Sequence, residues 1–134
     1  MRLWHHKLIP LLDRQRLLGQ HRECCALRGM GWGKKHSTVN YVFKHSYFLL
    51  YHYHKQIIKE MKTRGYKPNP IWLYPHYRGK TIQFDYDKYF NEEWSELCNS
   101  LFIYPEHNAE YLIECKNLLL QKQPNYYKEK LCKI

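Results

Sequence analysis

The chain has few acidic residues and lacks long apolar runs. Asp and Glu together number 12 against 22 Lys and Arg, which gives a formal net charge of +10. A field of that sign attracts nucleic acid or, less often, an anionic membrane surface. The longest apolar stretches are far shorter than the ~20 residues that span a bilayer. The sequence therefore excludes a transmembrane protein.

Strand-like alternation of apolar and polar residues is nearly absent, and there is no internal repeat or low-complexity tract. The fold class that this predicts is all-α. The chain has an odd number of cysteines, 5, and no apolar core of signal-peptide length near its start, because polar residues interrupt it at positions 5–7. We expect reduced thiols and a cytoplasmic protein, associated with the nucleoid if the source is bacterial.

The length of 134 residues predicts one compact domain that spans residues 1–134. Its interior should be aromatic and half-polar, because tyrosine alone accounts for 13 residues and the mean hydropathy is −0.74. Tyrosine and tryptophan bury an apolar body and keep a polar edge, which suits both a thin core and a surface on which bases stack.

The periodicity predicts three main helices joined by long loops. Residues 1–9 form an ordered arm, and Pro10 takes the first helical position of a helix that ends before Gly29. The second helix runs from Tyr41 or Ser46 to Arg64, with a tyrosine-rich stripe that belongs mostly to the core. The third runs from Asn108 to Leu120 and is followed by a basic aromatic tail from Pro124.

The connecting segments have distinct compositions. Residues 29–36 form a glycine-punctuated basic segment that fits no dinucleotide or phosphate-loop fingerprint, and we interpret it as a mobile loop that contacts phosphate. Residues 66–80 contain too many prolines for regular structure and predict a long ordered loop. Residues 81–103 hold much of the acidic minority around aromatic residues, predict short helical turns and should face away from a polyanion.

The adjacent pair Arg22-Glu23 lies in the middle of the first helix, at the border of its apolar and polar faces. A carboxylate that faces an α-amino group forms a catalytic pair, because an amine with a pKa of about 7.7–8.0 is partly neutral near pH 7. The carboxylate can accept a proton and can stabilise the cation of an imine. A neighbouring arginine keeps that carboxylate ionised. The alternative to a catalytic role is that Arg22 and Glu23 are an ordinary solvated pair on the helix surface.

Several basic and aromatic residues are candidates for nucleic-acid contacts. Clustering of Lys34 and Lys35 with Trp32 favours phosphate contacts over an ordinary solvated face. Tyr126 and Tyr127 are adjacent on a basic segment, so that one or both could pack against DNA; the alternative is that the C-terminus docks on the first helix. The candidate DNA-binding residues are Arg2, Arg22, Arg28, Lys34, Lys35, His36, Tyr126, Tyr127 and Lys128.

The histidines and cysteines do not match a metal-binding pattern. His52 and His54 are two residues apart, and Cys98 and Cys115 are too distant in sequence to complete zinc spacing. Cys24 and Cys25 are interpreted as core thiols, since the spacing implies no partner histidine. We therefore expect no metal and no cofactor.

Four segments, in this order and spacing, resemble the pyrimidine-dimer DNA glycosylase/AP lyase family, known from a phage endonuclease. They are Arg22-Glu23, residues 59–66 (KEMKTRGY), residues 104–107 (YPEH) and residues 126–128 (YYK). The resemblance implies a compact three-helix protein whose N-terminal segment threads between helices and brings the terminal amine beside the helix-one glutamate.

The resemblance also implies a mechanism. The Met1 amine attacks the anomeric carbon of a damaged nucleotide, the base leaves from a protonated imine, and β-elimination cuts the strand. Glu23 stabilises the cationic intermediate, and Arg22 holds a phosphate near the lesion. The family's usual nucleophile is a small residue exposed after methionine removal, but Arg2 is too bulky for that processing, so we expect Met1 to stay. The family's second arginine after the glutamate is replaced by Cys24-Cys25 here, and Arg28 is the nearest candidate.

The expected partner is double-stranded DNA that contains damaged bases or abasic sites, bound by a monomer. Two alternatives stay open. One is an imine-forming lyase for abasic sites or a glycosylase for another base lesion. The other is a basic DNA-binding module in which Glu23 is inert, which would bind undamaged DNA in a salt-sensitive way without cutting it.

Overall fold

A computed structural model of the chain describes residues 2–35, 38–86 and 103–133. Within them the regular structure is helical, and the one strand-type contact is an isolated antiparallel bridge between Tyr77 and Phe84. The prediction of an all-α fold is confirmed. Among these residues, no helix combines the length and the apolar character needed to cross a membrane. The predicted turns over residues 87–102, like Met1 and His36, lie outside the described residues.

Helix α1 is Arg14–Arg28, and it begins later than predicted. Pro10 lies inside a separate 3-10 helix, His6–Leu11, and does not start α1. The N-cap is Asp13, whose carboxylate accepts a hydrogen bond from the backbone N–H of Arg16 at 3.4 Å. Aspartate at this position satisfies one of the donors that a helix start leaves free.

The end of α1 is as predicted, at Gly29, and the basic segment after it turns back on the helix. The N–H of Gly31 donates to the carbonyl of Ala26 at 2.9 Å. A Cβ on Gly31 would lie 2.7 Å from that carbonyl oxygen, so only glycine permits the approach. The Trp32 ring packs edge-on against Tyr47 at 5.3 Å, which anchors a segment that we expected to be mobile.

Helix α2 is Tyr47–Thr63, capped by Ser46, whose hydroxyl accepts from the N–H of Phe48 at 3.2 Å. The preceding 3-10 helix, Asn40–Lys44, is separate, so the later of the two predicted starts is correct. The predicted long loop contains the 3-10 helix Pro70–Leu73 and leads into the short helix α3, Gly79–Ile82.

Helix α4 is Ala109–Lys122, with Asn108 as its N-cap, and helix α5 is Pro124–Lys130, followed by the 3-10 helix Leu131–Lys133. The predicted basic tail is therefore helical. Pro124 is compatible with this helix because it occupies the first turn, where its missing N–H costs nothing.

The core lies where α1 and α2 pack on each other and on the N-terminal arm. Each element contributes fully buried apolar residues, and α4 and α5 close the core from the other side. Representative members are Leu3, Leu8, Leu12, Leu17, Leu27, Leu50, Ile57, Leu119 and Tyr127. The arm is thus part of the core from Leu3 onward.

Candidate active site

Residues 2–5 of the N-terminal arm form no helix or strand, and two tyrosines, Tyr53 and the partly buried Tyr111, supply hydrogen bonds to their backbone instead. The hydroxyl of Tyr111 on α4 donates to the carbonyl of Leu3 at 2.6 Å, and the hydroxyl of Tyr53 on α2 donates to the carbonyl of Trp4 at 2.6 Å. Buried backbone groups must find such partners. Two helices therefore hold the arm at a fixed position.

Gln20 on α1 is the third anchor of the arm and joins it to Glu23. Its side-chain N–H₂ donates to the carbonyl of Arg2 at 2.9 Å and to Oε2 of Glu23 at 2.8 Å. Its side-chain oxygen accepts from the N–H of Trp4 at 2.8 Å. One amide thus binds the backbone of the arm and the carboxylate on the next turn of the helix.

Glu23 is half-buried, and burial raises the pKa of its carboxyl above the usual value of 4.5. The backbone N–H of Arg2, the positive charge of Arg22 and the hydrogen bond from Gln20 act in the opposite direction and favour the ionised form. The Gln20 amide thus joins the carboxylate to the backbone of Arg2. It can accept or release a proton at a higher pH than a solvated glutamate.

Glu23 opens onto a cavity of about 450 Å³ between the arm, α1 and α4. Among the described residues, four cationic side chains line it and Glu23 is the one lining carboxylate. The lining residues are Arg2, Trp4, Gln15, Arg16, Gly19, Gln20, Arg22, Glu23, Thr38, Leu118 and Lys122. This excess of positive charge suits an anionic ligand such as a sugar-phosphate chain.

The remaining predicted DNA contacts are divided between the surface and the interior. Arg22, Lys34, Lys35 and Lys128 are exposed, and Tyr126 is 36% exposed with the ammonium of Lys130 4.5 Å from its ring centroid. Arg2 is partly exposed, and its guanidinium lies 3.4 Å from Oε1 of Glu114. All of these side chains can reach an external ligand.

Arg28 is a correction, because its side chain is 0% exposed. Its guanidinium donates to the carbonyls of Trp72, Tyr74 and Tyr77 at 2.7, 3.0 and 3.0 Å and to the hydroxyl of Tyr47 at 3.0 Å. These donors are used within the protein, so Arg28 cannot contact phosphate. It attaches the proline-rich segment to α1 and α2.

Tyr127 is the second correction, since it is also 0% exposed. Its hydroxyl donates to the carboxylate of Asp13 and accepts from the backbone N–H of Asp13 at 2.8 Å. The alternative that the C-terminus docks on the first helix is therefore correct for this residue, and stacking of Tyr127 on DNA is wrong. Adjacent aromatic residues on one turn of a helix point in different directions, and only Tyr126 faces outward.

A cluster of His21, Cys25 and His54 was missed by sequence spacing because its members come from two helices. Its three ligand-type atoms lie within 4.8 Å of one another. His21 Nδ1 and His54 Nε2 are 2.8 Å apart, and the Cys25 Sγ lies 3.8 Å from His21 Nε2. The spacing of four residues between His21 and Cys25 on one helix face could have indicated part of it.

Arg28 determines which nitrogens of this cluster carry protons. Its Nη1 lies 2.9 Å from Nδ1 of His54, and a guanidinium only donates, so that Nδ1 accepts and Nε2 carries the proton. His54 then donates to Nδ1 of His21, which leaves His21 Nε2–H directed at Cys25. A metal-bound histidine normally donates from its other nitrogen, which Arg28 prevents here. The geometry therefore favours a chain of hydrogen bonds over a metal centre.

Burial holds the ionisable groups of the cluster in their neutral forms. It lowers the pKa of His54 well below 6.5 and raises the pKa of the Cys25 thiol to about 11. A thiol in that state is a weak nucleophile near neutral pH. Cys24 is fully buried, as expected for a core thiol.

Sequence reasoning missed Gln20, Tyr53, Tyr111 and the two further cations of the cavity, Arg16 and Lys122. Gln20 directly precedes His21-Arg22-Glu23, and its spacing of three residues from Glu23 places both on one helix face. The tyrosines gave no comparable indication, because their hydroxyls meet the arm only through tertiary packing.

These features define a class of protein: a basic, all-α protein in which the N-terminal arm is joined at Arg2, through Gln20, to a half-buried carboxylate in a cation-lined cavity suited to an anionic ligand. The family model for pyrimidine dimer DNA glycosylase matches residues 1–74, which is more than half of the chain. The protein belongs to this family, and its activity class is that of a DNA-repair glycosylase. Searches of curated proteins and of solved structures return no match.

The matched region contains Arg22-Glu23, the end of α2 and all of the arm. The family resemblance seen in the sequence is confirmed. Residues 104–107 and 126–128, which also suggested it, lie beyond the matched region.

Proposed function

We propose that the protein is a pyrimidine-dimer DNA glycosylase with associated AP lyase activity, and that the α-amino group of Met1 is its nucleophile. The observation that carries the proposal is that the Gln20 amide donates both to the carbonyl of Arg2 at 2.9 Å and to Oε2 of Glu23 at 2.8 Å, at the edge of the cation-lined cavity. Met1 is bonded to Arg2, and adjacent Cα atoms are only about 3.8 Å apart. The covalent chain thus keeps the amine near this carboxylate.

The reaction uses these two groups in sequence. The neutral amine forms a bond to the anomeric carbon of the damaged nucleotide, the glycosidic bond breaks, and the departing base takes up a proton. Opening of the sugar ring then gives a protonated imine, whose positive charge the Glu23 carboxylate stabilises. Removal of a proton from the neighbouring sugar carbon expels the 3′ phosphate by β-elimination, and water hydrolyses the imine to restore the amine.

The raised pKa of Glu23 suits its role as a proton carrier. A general base works best when its pKa approaches the working pH, and burial moves the pKa of Glu23 in that direction. Activity requires both a neutral amine and an ionised Glu23, so that we expect the rate to rise with pH on the acid side.

DNA is held in this proposal by the cations around the cavity and on adjoining exposed surfaces. Arg2 and Arg22 line the cavity, and Lys34, Lys35 and Lys128 extend the positive surface. Tyr126 offers an exposed aromatic face. These contacts would position the backbone, while the cost of displacing a base, lowest where pairing is already weak, would favour damaged sites.

The first test is borohydride trapping of the tag-free protein on duplex DNA that carries either an abasic site or a cyclobutane pyrimidine dimer. Borohydride reduces an imine to a stable amine, and mass spectrometry then locates the adduct. We expect an adduct on the Met1 amine with both substrates. An adduct on a lysine would contradict the assigned nucleophile, and an adduct on abasic DNA alone would contradict the dimer glycosylase.

The role of Glu23 is tested by Glu23→Gln, which keeps the shape of the side chain and removes its charge. We expect trapping to fall by at least ~10²-fold, as for loss of a general acid–base group, while DNA affinity is retained. Glu110→Gln, at an exposed position on α4, is the matched control and should behave like the wild type. Unchanged strand cleavage by Glu23→Gln would refute the role.

A further inference from the structure

Gln20 is a buried amide whose donors and acceptor all have partners. It is 1% exposed. Its two N–H bonds point to the carbonyl of Arg2 and to Oε2 of Glu23, and its oxygen accepts from the N–H of Trp4 and lies 2.9 Å from the hydroxyl of Tyr53. Such a fully satisfied side chain has one orientation, because exchanging its oxygen and nitrogen would place donors against the N–H of Trp4.

The chemistry of this position requires an amide. A carboxylate could accept from Trp4 but could not donate to the carbonyl of Arg2 or to Glu23. An apolar side chain of the same length would remove the partners that Gln20 supplies to the N–H of Trp4, the carbonyl of Arg2 and Oε2 of Glu23. The position therefore does more than fill space in the core.

The terminal torsion of a glutamate side chain is broad, so the orientation of its carboxylate depends on outside contacts. The Gln20 bond to Oε2 at 2.8 Å supplies such a contact for Glu23. The same nitrogen holds the carbonyl of Arg2 at 2.9 Å, on the residue next to Met1. A single atom, Nε2 of Gln20, thus hydrogen-bonds both the Glu23 carboxylate and the residue that carries the proposed amine's neighbouring peptide group, Arg2.

We propose that Gln20 is a positioning residue, which sets the separation and orientation of the Met1 amine and the Glu23 carboxylate. This inference rests on the proposed function. Reaction rates are sensitive to such geometry, since a displacement of about 1 Å can lower a rate by ~10²-fold. Gln20 acts through the carbonyl of Arg2 and the carboxylate of Glu23, to which its amide donates.

The test compares Gln20→Glu and Gln20→Met with Gln121→Glu and Gln121→Met. Gln121 is exposed on α4 and does not line the cavity, so its variants should match the wild type. For the Gln20 variants we expect the single-turnover rate of imine trapping on abasic duplex DNA to fall by ~10²-fold, as for a misplaced group. We expect the affinity for the same DNA to be retained.

The pH profile separates positioning from a merely structural role. Gln20→Met removes a donor from the Glu23 carboxylate and so disfavours its ionised form. We therefore expect the acid limb of the single-turnover rate to move to higher pH. A wild-type rate in the Gln20 variants would overturn the proposal. It would also be overturned if their rate, thermal stability and DNA affinity fell together while the acid limb of the rate did not shift.

A measurement on the wild-type fold keeps the inference testable if both Gln20 variants fail to fold. In ¹⁵N-labelled protein, the side-chain N–H₂ resonances of Gln20 should shift with pH as Glu23 titrates and should lose that response in Glu23→Gln. Absence of any response would overturn the inference. The proposed function fails separately, if wild-type protein forms no adduct on the Met1 amine.

Discussion

The guanidinium of Arg28 is a buried cation that no carboxylate of residues 2–35, 38–86 or 103–133 pairs with. Its N–H groups donate to backbone carbonyl oxygens. Its Cζ lies 4.9 Å from the ring centroid of Trp72 and 5.2 Å from that of Tyr51. Aromatic faces attract a desolvated cation. The arginine thus ties the loop that carries Trp72 to the two central helices.

We expect Arg28→Met to destabilise the protein by at least about 3 kcal/mol, because it leaves several buried acceptors without donors at about 1–3 kcal/mol each. The measurement is the free energy of unfolding in urea. Arg14→Met changes an exposed arginine on the same helix and should cost no more than about 0.5 kcal/mol. Equal stability of the two variants would contradict the structural role of Arg28.

At the scale of the element, the contact between α5 and the start of α1 joins the two ends of the chain. Tyr127 donates to the N-cap carboxylate of Asp13 and accepts from the backbone N–H of the same residue. Burial acts to raise the pKa of Asp13, but the hydrogen bonds from Tyr127 and Arg16 outweigh it and hold the pKa below 3.8. The C-terminal helix therefore depends on an ionised cap.

We expect Tyr127→Phe to lower the free energy of unfolding at pH 7 by about 1–3 kcal/mol, since it removes the buried partner of Asp13. A depressed carboxyl pKa contributes stability above the unfolded value of 3.8 and loses it as pH falls through the folded value. The difference between variant and wild type should therefore shrink in urea titrations toward pH 2. Tyr126→Phe, at an exposed position, is the control, and a constant difference across pH would contradict this linkage.

The elements show which sequence patterns are reliable. Ser46 and Asn108 are polar caps before strongly periodic segments, and the structure places α2 and α4 directly after them. The sequence pattern predicted that the first helix starts at Pro10, whereas the carboxylate of Asp13 caps α1. Local patterns located the helices well and their first residues less well, because a proline is tolerated in the 3-10 helix before α1 as well as in the first turn of an α-helix.

At the scale of the whole molecule, the excess of positive charge predicts strongly salt-dependent DNA binding. Each phosphate contact contributes a slope of about −0.9 to a plot of log affinity against log salt concentration. Lys34 and Lys35 are exposed on the turn after α1. They can contribute such contacts without entering the cavity.

We expect the double variant Lys34→Ala/Lys35→Ala to reduce the steepness of that slope by about 2, as for two lost phosphate contacts, while the rate of imine trapping at saturating DNA is kept. Fluorescence anisotropy at several salt concentrations measures it. Lys59→Ala removes a charge from a separate depression beside His6 and Pro10 and is the control. An unchanged slope in the double variant would show that this turn does not contact DNA.

The sequence by itself determined the all-α class, most helix ends, the basic character and the Arg22-Glu23 pair. These follow from composition, from periodicity and from capping residues, which act over a few neighbouring positions. The position of the arm, the interior location of Arg28 and Tyr127 and the contacts of Gln20 with the arm were decided only by the tertiary structure. Each depends on hydrogen bonds between residues far apart in sequence, such as Tyr127 with Asp13 and Tyr111 with Leu3, and no local pattern encodes which distant partner a buried polar group will find.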